Sequence, residues 1–142
     1  MISVTTATPR RPLPTPQPEW DFYWERTKAH ELWLMRCKEC HRAYFYPRPL
    51  CPYCFSRNTE WFQSSGRGRL YAFAIVHRAP HPAFADLVPY IAALVELEDG
   101  VRIPTNLVGV EPDPARVKIG MPVQVLFEDA NEKISLPKFR PV

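Results

Sequence analysis

Three textures follow one another along the chain. Residues 1–18 alternate proline with small or polar residues and hold no aromatic side chain. Proline removes a backbone donor, and so little apolar surface cannot build a core. This stretch reads as a disordered or polyproline-like arm. At residue 19 the character changes. Trp20, Phe22, Tyr23 and Trp24 crowd together, charges follow at Glu25, Arg26, Lys28 and Glu31, and neither proline nor glycine intervenes. The pattern predicts a short helix with Glu19 and Asp21 near its positive end. Four neighbouring aromatics exceed what one helix face needs. They either pack on the chain's own core or form a surface between subunits or domains. The expectation is a partner interface, because aromatics are enriched at interface centres.

From residue 58 onward the runs are rich in Val, Ile, Leu, Phe and Tyr and read as strands. Asp99-Gly100, between Val95–Leu97 and Val101–Ile103, is a strong hairpin signal. Asp129, Ala130 and Asn131 mark a second hairpin. Gly66 and Gly68 open a long strand that ends near His77. Residues 79–89 hold three prolines and form a loop, and residues 109–116 form another loop or a single helical turn. About five strands across residues 66–140 fit a small barrel that protects its edges by closure, with an SH3-like barrel as the alternative.

Composition narrows the class. The chain has 142 residues, 17 of them proline and only 5 glycine. So much proline disfavours helical bundles, coiled coils and solenoids. Net charge is +3, and Arg10 and Arg11 of the arm account for two of those charges. The remainder is too weakly basic to argue for nucleic acid by bulk electrostatics. No run approaches the roughly 18 apolar residues that span a bilayer, and the N-terminal stretch has no apolar region of the signal-peptide kind. A cytoplasmic protein without membrane contact is expected.

The four cysteines, Cys37, Cys40, Cys51 and Cys54, form two Cys-x-x-Cys pairs ten residues apart. Thiolates are soft ligands, and zinc binds four of them tetrahedrally. Each pair sets both sulfurs on one side of a tight turn, and the spacer suits a short hairpin. A structural zinc ribbon is therefore expected. A redox dithiol needs one pair and a thioredoxin-like βαβ pattern. A catalytic zinc keeps a position for water, which four thiolates fill.

No phosphate-binding loop, nucleophile elbow or H-E-x-x-H motif occurs. His77 and His81 stand close in sequence, with Asp86 the only nearby acid in that loop to orient a base. The chain alone does not read as an enzyme, and no catalytic residue is assigned. Arg67, Arg69, His77, Arg78, His81, Phe84 and Tyr90 are the candidate substrate- or partner-facing residues. Their cationic and aromatic mix suits a CoA ester. A single-strand nucleic-acid-binding barrel is the alternative, with bases stacked on exposed rings.

The segments R-C-K-E-C and C-P-Y-C, S-G-R-G-R-L-Y-A-F-A-I-V-H-R-A-P, V-P-Y-I-A-A-L-V-E-L-E-D-G, T-N-L-V-G-V and K-I-G-M-P-V-Q-V-L-F-E together resemble a known family. It was first catalogued as domain-of-unknown-function family 35, and the resemblance spans about residues 20–140. It implies a rubredoxin-like zinc ribbon followed by a five-stranded OB-fold barrel, mainly β with one short N-terminal helix. The implied division is residues 1–18 as arm, 19–36 as helix and lead-in strand, 37–64 as ribbon and 65–142 as barrel. The implied role is a non-catalytic accessory subunit that binds or positions acyl-CoA. Its partner would be a thiolase-like protein: a sterol-carrier-type thiolase, a steroid side-chain aldolase or an acyltransferase.

Overall fold

A computed structural model describes residues 11–142. The N-terminal ten residues of the expected arm lie outside the described residues. Residues 11–17 have no regular secondary structure. The helix α1 (Asp21–Lys28) follows, then β1 (Trp33–Cys37), β2 (Ala43–Tyr44) and β3 (Thr59–Gln63). The barrel strands are β4 (Arg67–Val76), β5 (Tyr90–Leu97), β6 (Arg102–Leu107), β7 (Pro122–Asp129) and β8 (Ser135–Pro141). One short 3-10 turn, Pro82–Phe84, interrupts the loop between β4 and β5.

The first three strands make a small antiparallel sheet in the order β2-β1-β3. The central β1 pairs Met35 with Tyr44 on one side and with Trp61 on the other. The expected division at residue 36 therefore falls inside β1. The stretch taken for a lead-in strand is the middle of the ribbon sheet, because β3 returns beside it.

The other five strands close into a barrel in the order β4-β5-β6-β8-β7. Closure takes two long-range pairings. Near its start, β4 joins β7 through Arg67 opposite Gln124, and β6 meets β8 in parallel at Leu107 and Phe139. This is the mainly β, OB-fold architecture expected. Both hairpins form where the turn residues placed them. Gly100 sits at φ 84° in the β5–β6 turn, a conformation glycine adopts without steric cost. A methyl group on Gly68 would overlap the Glu96 carbonyl of β5, so only glycine lets these two strands approach.

Strand β5 alternates cleanly, with Ile91, Ala93, Val95 and Leu97 buried. Leu70, Val123, Ile134 and the wholly enclosed Phe139 fill the rest of the barrel. The same apolar cluster continues through Tyr23 and Trp24 of α1 to Leu32 and Leu34 beside and within β1. Ribbon and barrel thus share one core, with α1 as the joint.

The end of α1 is tied to the β7–β8 hairpin. Lys28 Nζ donates to the Asn131 carbonyl at 2.6 Å, and His30 Nε2 lies 3.0 Å from Asp129 Oδ1. The His30 ring stacks on Phe127 at 5.3 Å. Hydrogen bonds from Ser135 and His30 hold the Asp129 carboxyl at about 2, well below the usual carboxylate range.

Candidate metal centre and partner-facing surfaces

The sulfurs of Cys37, Cys40, Cys51 and Cys54 all lie within 4.8 Å of one another. Cys37 Sγ and Cys54 Sγ are 3.5 Å apart, and Cys40 Sγ and Cys51 Sγ 3.6 Å apart. Sulfurs about 2.3 Å from a tetrahedral zinc stand roughly 3.8 Å from each other, so this donor set fits the ion. All four cysteines are free of disulfides.

Two loops of matching shape build the cluster. His41 N–H donates to the Cys37 carbonyl and Phe55 N–H to the Cys51 carbonyl, both at 3.0 Å. His41 and Phe55 adopt φ of 63° and 61°, the left-handed conformation that chain reversal after each pair requires. Neither is glycine, so each carries a cost of about 1 kcal/mol. The amides of Glu39 and Cys40 point at Cys37 Sγ, each at 3.4 Å, and the Tyr53 amide at Cys51 Sγ, also at 3.4 Å. Such donors favour thiolate. The Cys40 amide leads in pulling the Cys37 thiol down. Burial raises Cys51, but the amides of Cys54 and Tyr53, together with the Cys40 and Cys54 side chains, bring it to about 7. Cys40 and Cys54 shift upward, because burial and the crowded sulfurs outweigh the Arg42 and Ser56 amides, and a bound cation would offset that rise. Four thiolates complete a tetrahedron, so the chemistry the ion supplies here is cross-linking of two loops. His41 is exposed and outside the cluster.

The aromatic quartet divides. Tyr23 and Trp24 are only 3% and 9% exposed and belong to the shared core, so neither can face a partner. This corrects the expectation for those two: their cover comes from the chain itself, Tyr23 meeting Phe45 at 5.9 Å. Phe22 lies against Trp33 and Trp61 of the ribbon sheet at 5.5 and 4.8 Å. Trp20 meets Tyr46 edge-on at 6.2 Å. Trp20 and Phe22 remain half-buried.

The seven candidate ligand-facing residues also divide. Arg67 and Arg69 begin β4, whereas His77 and Arg78 follow its end. Ten strand residues span roughly 30 Å. The expected neighbourhood of Arg67 and Arg69 with the β4–β5 loop is therefore corrected: an extended strand holds them at its opposite end. Arg67 lies 3.6 Å from Glu98, and Arg69 donates to the Gly120 carbonyl at 3.0 Å.

Within the loop, His81 Nδ1 accepts the Ala83 amide at 3.0 Å and so caps the 3-10 turn. Asp86 accepts two 2.8 Å hydrogen bonds from Arg11 Nη2, so its carboxylate is engaged away from either histidine. His77 and Arg78 are exposed, and no ion pair of Arg78 occurs among the described residues. Phe84 and Tyr90 line a cleft of about 1190 Å³ beside β5 and β6. Sequence reasoning missed Lys138 and Asn106 on the wall of this cleft. Lys138 Nζ donates to Asn106 Oδ1 at 2.6 Å, and burial pulls the ammonium down. Only the non-local pairing of β6 with β8 brings them together.

Arg102 pairs with Glu96 at 2.9 Å and stacks 3.8 Å over Tyr71, and Arg116 pairs with Glu111.

Comparison with known proteins agrees with this geometry. The family model described as the rubredoxin-like zinc ribbon domain of ChsH2 matches residues 24–60, and that of the ChsH2 C-terminal OB-fold domain matches residues 61–128. The DUF35 domain-containing scaffold protein of Methanocaldococcus jannaschii is 38% identical over 116 residues, covering 76% of this chain and 79% of that one. The chain belongs to this zinc-ribbon and OB-fold family. A Thermomonospora curvata relative named "Probable enoyl-CoA hydratase alpha subunit" is 40% identical over 131 residues. Those residues are 92% of this chain but 40% of the relative, so the chain spans well under half of that protein. Among solved structures, a chain of "Ltp2-ChsH2(DUF35) aldolase" superposes with a TM-score of 0.77 at 38% identity, covering 91% of this chain and 98% of that one. Among the described residues, no helix is long and apolar enough to cross a membrane.

Proposed function

We propose that this chain is a non-catalytic accessory subunit of a thiolase-like enzyme, joined to it in a cytoplasmic hetero-oligomer that processes acyl-CoA. The observation that carries this is the near full-length likeness, 38% identical over 98% of its length, to the DUF35 chain of an aldolase complex. A single shared core makes ribbon and barrel one rigid spacer, which suits a bridging role. Zinc held by Cys37, Cys40, Cys51 and Cys54 locks the ribbon end of that spacer.

The exposed basic end of the β4–β5 loop faces the partner's active-site mouth. His77, Arg78 and His81 offer cationic and hydrogen-bonding groups to the phosphates of a CoA ester. Phe84 and Tyr90 line the cleft beside them. The test is co-expression with a thiolase-like polypeptide, followed by size-exclusion chromatography and mass measurement. A stable complex whose acyl-CoA turnover needs this chain is expected. A chain that stays alone, with turnover the same in its absence, overturns the reading.

A further inference from the structure

The cleft beside β5 and β6 occupies the place where OB-folds take ligands. Such sites are built from the second and third barrel strands, the loop before the second strand and the last hairpin. Here these are β5 and β6, the loop through Asp86, and the turn at Glu128–Asn131. Its charges are unusual for a phosphate site. Asp86, Glu128 and Asp129 stand against Lys138 from the barrel.

One further cation in the cleft comes from far away in sequence. Arg11, Pro12 and Leu13 line it, and the Arg11 guanidinium bonds both oxygens of Asp86, 75 residues on. Pro14 continues the path into a smaller groove of about 320 Å³ beside Trp20, Tyr46 and Pro104. Proline holds such a segment extended before it docks, and grooves lined by aromatic rings are the usual seat for it.

We propose that this OB cleft is a docking groove for an extended, arginine-anchored, proline-rich segment, and that residues 11–14 of the chain's own arm are its resident in cis. Docked there, the arm forms one wall of the cleft and narrows it for any other extended ligand. The inference goes beyond the accessory role and holds or fails without it.

The test uses the full chain and amide NMR spectra. Arg11→Ala removes the anchor and is expected to move the amides of residues 84–92 and 128–131. A peptide spanning residues 10–18, added in trans, is expected to return them toward their original positions. It should bind Arg11→Ala about fivefold more tightly than the parent chain, because an exposed ion pair shifts the competing cis arm by about that factor. Asp86→Asn should weaken peptide binding by about the same factor. Unmoved cleft amides in Arg11→Ala, equal peptide binding to parent and variant, or full binding to Asp86→Asn overturns the proposal. So does a concentration-dependent dimer whose dissociation moves the same amides, since the resident arm would then belong to a second copy.

Discussion

Cys51→Ser is the sharpest perturbation of the ribbon. Cys51 is fully enclosed, and its sulfur stands 3.6 Å from Cys40 Sγ. A hydroxyl at that place is a poor zinc ligand and leaves three thiolates. Structural zinc contributes about 10–16 kcal/mol in small ribbons. One ligand of four accounts for roughly a quarter of that, or about two to three orders of magnitude in zinc affinity. Two further costs then lose their compensation. His41 and Phe55 hold left-handed backbone, at about 1 kcal/mol each, and zinc closing the two loops would help to offset that cost. The ribbon does not melt alone, because Leu34 of β1 shares a core with Tyr23 and Trp24, which pack on the barrel.

Zinc content by elemental analysis and thermal unfolding by circular dichroism make the assay. The parent chain, purified without chelator, should carry one zinc. Cys51→Ser should retain little and unfold at a lower temperature, with the barrel signal shifted as well as the ribbon signal. Zinc below about half an equivalent in the parent refutes the metal assignment. A variant with unchanged zinc refutes the ligand set, and a barrel transition that does not move refutes the shared core.

Four further outcomes are expected. Gly68→Ala drives a methyl group into the Glu96 carbonyl and should destabilise the chain by about 1–3 kcal/mol in urea titration. Phe139→Ala empties the centre of the barrel and should cost about 3–5 kcal/mol by the same measurement. Asp129 is held at about 2 in the fold and lies near 3.9 when unfolded, so its contribution is complete above about pH 4 and fades as pH falls toward 2. Ser135→Ala should flatten that acid limb in a pH series of melting temperatures. Replacing Arg78 and His81 together by Ala in the assembled complex should raise KM for the acyl-CoA with kcat nearly unchanged, and both constants staying within about twofold would make the loop mere scaffold.

Features set by neighbouring residues were legible in the sequence. Two Cys-x-x-Cys pairs fold into matching loops, and their chemistry needs nothing from afar. Asp99-Gly100 turns where it stands. Long-range pairings were not legible. The barrel closes partly through the parallel pair of Leu107 and Phe139, two residues that carry no local mark of each other. That contact decides which side chains share the cleft, so Lys138 and Asn106 stayed hidden. The same ignorance grouped Arg67 and Arg69 with the β4–β5 loop, although strand length alone sets them far apart. Arg11 and Asp86 meet across 75 residues, with only opposite charge as a clue.

The helix shows where local pattern stops short. Residues advance about 100° per position around a helix, so Trp20, Tyr23 and Trp24 share one side and Phe22 points away from them. The wholly buried Thr27 extends the first side, its hydroxyl bonded to the Trp24 carbonyl at 2.9 Å. Arg26 sits over the Phe22 and Trp33 rings at 4.8 and 5.6 Å on the other. A helix apolar on two sides must be covered on two sides, and that much follows from spacing. Whether the second cover belongs to a partner or to the same chain does not. Trp33 and Trp61, brought together by the pairing of β1 with β3, supply it from within. The aromatic excess that first resembled a docking surface is thus what fastens two small units, neither with much core of its own, into one body.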